Sequence, residues 1–231
     1  MIRAPLTPEE AGMPPSSRVW SSQPCQSERA KRVLDVTVAV LAILLCLPLM
    51  LLASLAVLLS GPGPILLRQD RIGRYEKPFQ MLKFRTMHVE ADDRRLREMN
   101  TRELKGEEPD TSDGVFKLQD DPRITPVGRW LRHFSIDELP QLFNVLRGDM
   151  SLVGPRPSLP WEVDLFTPEQ RQRHACLPGM TGLWQVSGRN RLSMPEMLKL
   201  DIVYLRSRSL LLDLRILART PAAVLLDRSV R

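Results

Sequence analysis

Hydrophobic positions are spread unevenly along the chain. Residues 1–28 are rich in Pro, Ser and Glu and poor in apolar residues, which predicts a tail with no packed core of its own. Residues 33–59 then run VLDVTVAVLAILLCLPLMLLASLAVLL, with Asp35 the only charge. This exceeds the roughly 20 apolar residues that span a bilayer and predicts a membrane helix. Pro48 sits near its middle, where it removes a backbone donor and bends or breaks the helix. Gly61-Pro62-Gly63-Pro64 ends the segment with a turn signal. Short apolar runs between Ile65 and Leu82 predict a small strand pair, and the charged stretch 90–105 a solvated helix. Residues 166–176 predict a helix with Thr167 as N-cap, followed by Glu169 and Gln170. Apolar residues recur at three and four over 197–207 and 209–220, so both segments read as amphipathic helices. Such Leu- and Arg-rich faces either lie in a membrane interface or pack on the core, and core packing is favoured.

The expected fold class is therefore α+β and mostly helical: a tail (1–28), a membrane anchor (29–64) and a cytoplasmic domain (65–231) with interfacial helices. Topology turns on the flanks of the apolar block. Arg29, Lys31 and Arg32 precede it, and Arg68, Arg71, Arg74 and Lys77 follow it. Basic flanks favour the cytoplasmic side. Both flanks satisfy this only if the segment enters and leaves by one face, so a re-entrant hairpin bent at Pro48 is expected. An ordinary kinked span is the alternative. A cleaved signal peptide is not expected, because the apolar block starts late.

Composition narrows the function classes. The formal net charge is +6, which suits anionic lipid, phosphorylated substrates or nucleic acid. With two Tyr, six Phe and no basic-aromatic alternation, stacking platforms for single strands are missing and no nucleic-acid partner is expected. Cys25, Cys46 and Cys176 are far apart and odd in number, which argues against a disulfide framework or a zinc site. His88, His133 and His174 are isolated, without metal-ligand spacing. DTSDG at 110–114 and Asp120-Asp121-Pro122 read as turns.

Candidate chemistry centres on Ser135-Ile136-Asp137-Glu138-Leu139-Pro140. Ser135 and Glu138 fit a capping box, so a helix is expected to begin here, with Pro140 an awkward inner residue. Asp137 would then lie in a first turn, where backbone N–H groups also favour a phosphate. Arg129, Arg132, Arg147 and Arg156 lie nearby in sequence, and arginine forks suit phosphate oxygens. An aspartate among arginines suits phosphoryl transfer through an acyl phosphate, with a divalent cation offsetting the charge clash with a diphosphate.

The run Lys83-Phe84-Arg85-Thr86-Met87, then DPRITPVGRWLRHFSIDELPQLFNVLRGDMSLVGPRP (121–157) and LPGMTGLWQVSGRN (177–190), closely resembles the bacterial sugar transferase family. The resemblance covers about residues 29–226. It implies a membrane-held phosphoglycosyl transferase on the cytoplasmic face of the bacterial inner membrane. Its substrates would be a UDP-sugar and polyprenyl (undecaprenyl) phosphate, with Mg2+ as cofactor and UMP released. It implies a catalytic pair at Asp137 and Glu138, with Asp137 as nucleophile and metal contact. Phosphate or substrate binding would fall on Lys83, Arg85, Arg132, Arg147, Arg156, Arg189 and Asn190, and the membrane break on Pro48. The family often has Ser before the bending Pro, whereas Leu47 stands here. Membrane lipid is an expected partner, and a homodimer is compatible with this reading. Two rivals stay open: a Leloir glycosyltransferase that moves the sugar alone and releases UDP, and a non-catalytic membrane scaffold of a polysaccharide assembly complex.

Overall fold

The computed structural model describes residues 28–88, 94–104, 107, 123–188 and 192–225. The tail call therefore lies outside the described residues except at Glu28, as do the DTSDG and Asp-Asp-Pro turns.

Helix α1 (Glu28–Leu59) carries the apolar block. It is long and apolar enough to cross a membrane, and only 17% of its most apolar window is buried within the protein. Pro48 lies inside it, and no turn divides it into the two arms expected from sequence. Packing accounts for the continuity. Ala39 belongs to one core cluster, with Leu142, Val145 and Met150, while Met50, Ala53 and Val57 belong to another, with Phe84, Leu131 and Ile136. One face of α1 is thus held by the domain on both sides of Pro48. The opposite face leaves Leu41, Leu45, Leu52 and Leu59 between 61% and 81% exposed.

Both ends of α1 are fastened to the same domain. At the start, Lys31 donates to Asp213 (2.7 Å) and to the Val153 carbonyl (3.1 Å). Arg32 donates to the Val145 and Leu146 carbonyls, and Asp35 accepts from the Leu152 N–H. At the far end, Arg85 donates to the carbonyls of Val57, Gly61 and Pro62. The Val57 carbonyl is one that the helix C-terminus leaves without an intrahelical partner, and Gly61 and Pro62 belong to the turn that follows.

The expected strand pair is an antiparallel hairpin of β1 (Leu66–Ile72) and β2 (Pro78–Phe84). Helix α2 (Arg94–Leu104) lies within the charged stretch. Helices α3 (Pro126–His133) and α4 (Gln141–Arg147) flank a 3-10 turn at Ile136–Glu138. Strand β3 (Ser151–Val153) pairs in parallel with β4 (Gly179–Thr181), and short helices α5 (Pro160–Leu165) and α6 (Pro168–Arg171) lie between them. Thr167 caps α6 in a reciprocal box with Gln170, as its sequence suggests. Glycines permit the β3–β4 join: a Cβ on Gly179 would sit 2.1 Å from the Gly154 nitrogen. Helices α7 (Leu183–Ser187), α8 (Met194–Ser207) and α9 (Leu210–Leu225) close the domain. Tyr204 and Ile216 of α8 and α9 reach the core, while Leu211 and Leu214 stay at least half exposed.

Candidate active site

The Asp-Glu pair sits on the 3-10 turn, not in the first turn of an α-helix. Ser135 is left-handed (φ 54°) and makes no side-chain cap, which corrects the expected capping box. An N-cap needs extended backbone. Proline inside a helix also clashes with the carbonyl four residues back, so α4 begins only after Pro140. Glu138, freed from capping, accepts from the Lys83 Nζ at 3.0 Å.

Asp137 is buried (7% exposed). Burial raises its carboxyl pKa above the ordinary value. The Lys83 charge opposes this, Glu138 adds to it, and Arg132 opposes it again. Arg132 is held by its Nε bond to the Thr86 hydroxyl (2.9 Å). The pair is therefore bracketed by a cation at the end of β2 and another on α3.

Beside it lies a cleft of about 170 Å³. Lys83, Glu138 and Gln141 line one part of it, and Arg156, Trp184 and Gln185 another. Arg71, which the sequence offered only as a basic flank, also lines it. Its guanidinium is anchored to the Gln69 side chain (2.8 Å) and to the Pro157 carbonyl (2.9 Å). Burial, and next the charge of Arg156, pull its pKa down to about 9. Three of its five donors are engaged, leaving two for an anion. Gln69 is a local partner within β1, but nothing local announces the place in the cleft, because the Pro157 carbonyl comes from a loop some 86 residues on.

The structure brings Lys83 and Arg132 to the Asp137–Glu138 pair, and Arg156 into the lining of the cleft beside it. It sends Arg85 elsewhere: β2 ends at Phe84, and the next side chain turns to the end of α1, so Arg85 is a structural clamp rather than a cleft residue. Arg147 is exposed on the last turn of α4, at the opposite end of that helix from Gln141, and does not line the cleft. Arg189 and Asn190 lie outside the described residues. His174 is buried against Ser158 (3.2 Å), with burial pulling its pKa down to about 3, so it is neutral core.

Among the described residues no three His, Cys, Asp or Glu side chains gather as a metal cluster. Adjacent Asp137 and Glu138 remain a two-carboxylate donor set. This suits Mg2+, which takes one or two carboxylates and completes its shell with water and substrate phosphate.

Comparisons with known proteins give the chain its family. The profile of a family described as bacterial sugar transferase matches residues 26–227. An exopolysaccharide production protein ExoY of Sinorhizobium fredii is 44% identical over 86% of this chain and 87% of its own. A UDP-glucose:undecaprenyl-phosphate glucose-1-phosphate transferase of Caulobacter vibrioides is 45% identical, over 84% of this chain and 69% of its own. A galactosyl transferase CpsE of Streptococcus agalactiae is 40% identical over 87% of this chain; the match spans only 43% of that longer protein.

Proposed function

The chain belongs to the bacterial sugar transferase family, and from that premise we propose that it transfers hexose 1-phosphate from a UDP-sugar to polyprenyl phosphate, releasing UMP. The observation that carries the proposal is the Asp137–Glu138 turn, bracketed by Lys83 and Arg132 and opening beside a cleft lined by Arg71 and Arg156. Relatives named as undecaprenyl-phosphate glucose or galactose transferases support the substrate pair.

In the proposed course, an Asp137 carboxylate oxygen attacks the sugar-linked phosphorus of the UDP-sugar. The bond to the bridging oxygen breaks and UMP leaves, with a phosphosugar on Asp137. A polyprenyl phosphate oxygen then attacks the same phosphorus, and the Asp137 carboxylate departs. Lys83 and Arg132 hold Asp137 toward its ionised form. Arg156 and the remaining donors of Arg71 take phosphate oxygens. Mg2+, held by Asp137 and Glu138, would offset the charge between carboxylate and diphosphate.

The same proposal places α1 in the cytoplasmic leaflet of the inner membrane, entering and leaving by one face, with its Leu stripe in lipid and Pro48 at the deepest bend. Supporting this, Lys31 and Arg32 at one end and the Arg85-bound carbonyls at the other contact one domain. Leu211 and Leu214 would sit in the interface.

The deciding experiment incubates detergent- or nanodisc-held protein with UDP-sugars, polyprenyl phosphate and Mg2+. The expected product is UMP. UDP in its place would establish transfer of the sugar alone, and no nucleotide from an intact, folded sample would leave a scaffold.

A further inference from the structure

The catalytic cleft has a second, smaller cavity behind it, of about 10 Å³, which is room for one water. Three residues line both spaces: Arg156, Pro157 and Trp184. The first two are pinned by their backbone, since the Pro157 carbonyl accepts from Arg71 and the Arg156 carbonyl from Arg173. The third separates the spaces with a large side chain. Trp184 is 8% exposed, on a helix packed against α8 and α9.

The space behind that indole is mixed: Phe166, Met194, Met197 and Leu198 make most of its surface apolar, beside a few buried polar atoms. Glu162 Oε1, Asp201 Oδ1, Arg173 Nε and Trp184 Nε1 are buried without a hydrogen-bond partner, and all four residues line this cavity. It thus holds two carboxylate oxygens that accept and a guanidinium N–H that donates. Opening the wall would expose apolar side chains beside two acceptors and a donor, a lining that suits an acetamido group, with its methyl and its amide.

Size says which part of the substrate meets the wall. A cleft of about 170 Å³ falls below the ~300–1,000 Å³ of sites for drug-sized ligands. It can hold only part of a nucleotide sugar, and the part that must reach the Asp-Glu turn is the sugar phosphate. We infer that Trp184 is the specificity-determining wall of the sugar subsite, holding the enzyme to hexoses without a bulky ring substituent and rejecting N-acetylamino sugars. The inference rests on the proposed sugar-phosphate transfer.

The test compares kcat/KM for UDP-glucose, UDP-galactose and UDP-N-acetylglucosamine, by UMP release, in wild type, Trp184→Ala and Trp184→Phe. Wild type is expected to disfavour the N-acetyl sugar by on the order of 100-fold. The preference should narrow at least about tenfold in Trp184→Ala, and by a smaller step in Trp184→Phe. If Trp184→Ala does not fold, as its thermal unfolding will reveal, the Phe variant decides alone by the direction of its step. Equal losses for all three sugars, with weakened UMP inhibition, would overturn the inference and put the indole on the nucleotide. Wild type that uses the N-acetyl sugar as well as glucose would also overturn it. Wild type that yields no UMP from any sugar instead defeats the underlying transfer, before any variant is compared.

Discussion

Lys83 Nζ lies 3.0 Å from Glu138 Oε1, and this bond joins the end of β2 to the turn that carries Asp137. Its electrostatic consequence falls on Asp137. Burial raises that carboxyl, and Lys83 is the largest influence lowering it. Replacing Lys83 with Met removes this opposition, so the carboxyl rises further. A nucleophile must be ionised to attack, and the rising limb of the pH–rate profile should therefore move to higher pH in Lys83→Met. The check is the pH dependence of single-turnover UMP release for both proteins. Coincident rising limbs would show that Lys83 does not govern the ionisation of the nucleophile.

Asp137→Asn keeps the size of the side chain and removes the nucleophile. UMP release is expected to fall at least about a thousandfold, roughly 4 kcal/mol of barrier. Chelating Mg2+ from wild type should give a loss of similar order, because the carboxylate and the diphosphate then repel one another unscreened. Both are read as initial rates with UDP-sugar in excess. An Asn variant that retains more than a few per cent of the rate would remove Asp137 from the covalent role.

Much of this architecture is legible in the sequence wherever local chemistry decides. The apolar run of α1, the strand pair and the Thr167 cap each follow from neighbours within a few residues. The centre of the site is legible too, since the Asp-Glu pair and Lys83 lie in the motifs of the family resemblance. What spacing misses is set by distant partners. Strand alternation puts Lys83 and Arg85 on one side, yet β2 stops between them and Arg85 bonds the end of α1. The Ser135–Glu138 spacing promises a capping box, yet Pro140 delays the helix and Glu138 takes Lys83. Arg71 looks like one more flanking cation until a distant carbonyl anchors it in the cleft wall.

Arg85 offers a direct check on that division. It donates to three carbonyls at the end of α1, and charge-assisted bonds contribute about 1.5–3 kcal/mol each when partners are left buried. Arg85→Ala should cost about 3 kcal/mol or more of stability, and the 59–64 segment should become easier to cleave. The rate of the folded fraction should stay within about twofold of wild type. Thermal unfolding, limited proteolysis and UMP release per folded molecule report on these together. A large rate loss at unchanged stability would return Arg85 to the substrate site.

The Arg173–Asp201 pair, both members buried, makes the fold sensitive to pH. Burial raises the Asp201 carboxyl from 3.8 to about 6, and the Arg173 charge opposes this without cancelling it. An acid raised in the folded state contributes stability that is complete below its unfolded pKa and is lost as pH climbs through the folded one. For Asp201 that window runs from about pH 4 to about pH 6. Asp201→Asn cannot titrate, so it supplies the reference. Below the folded pKa the wild-type side chain is itself largely neutral, so the substitution removes little charge there. The margin of wild type over Asp201→Asn should therefore fall as pH rises from 4 to 7. Thermal midpoints of both proteins at pH 4.5, 5.5 and 7 measure the margin. One that is constant or widening would mean that Asp201 is ionised throughout and that pairing, not desolvation, sets its charge.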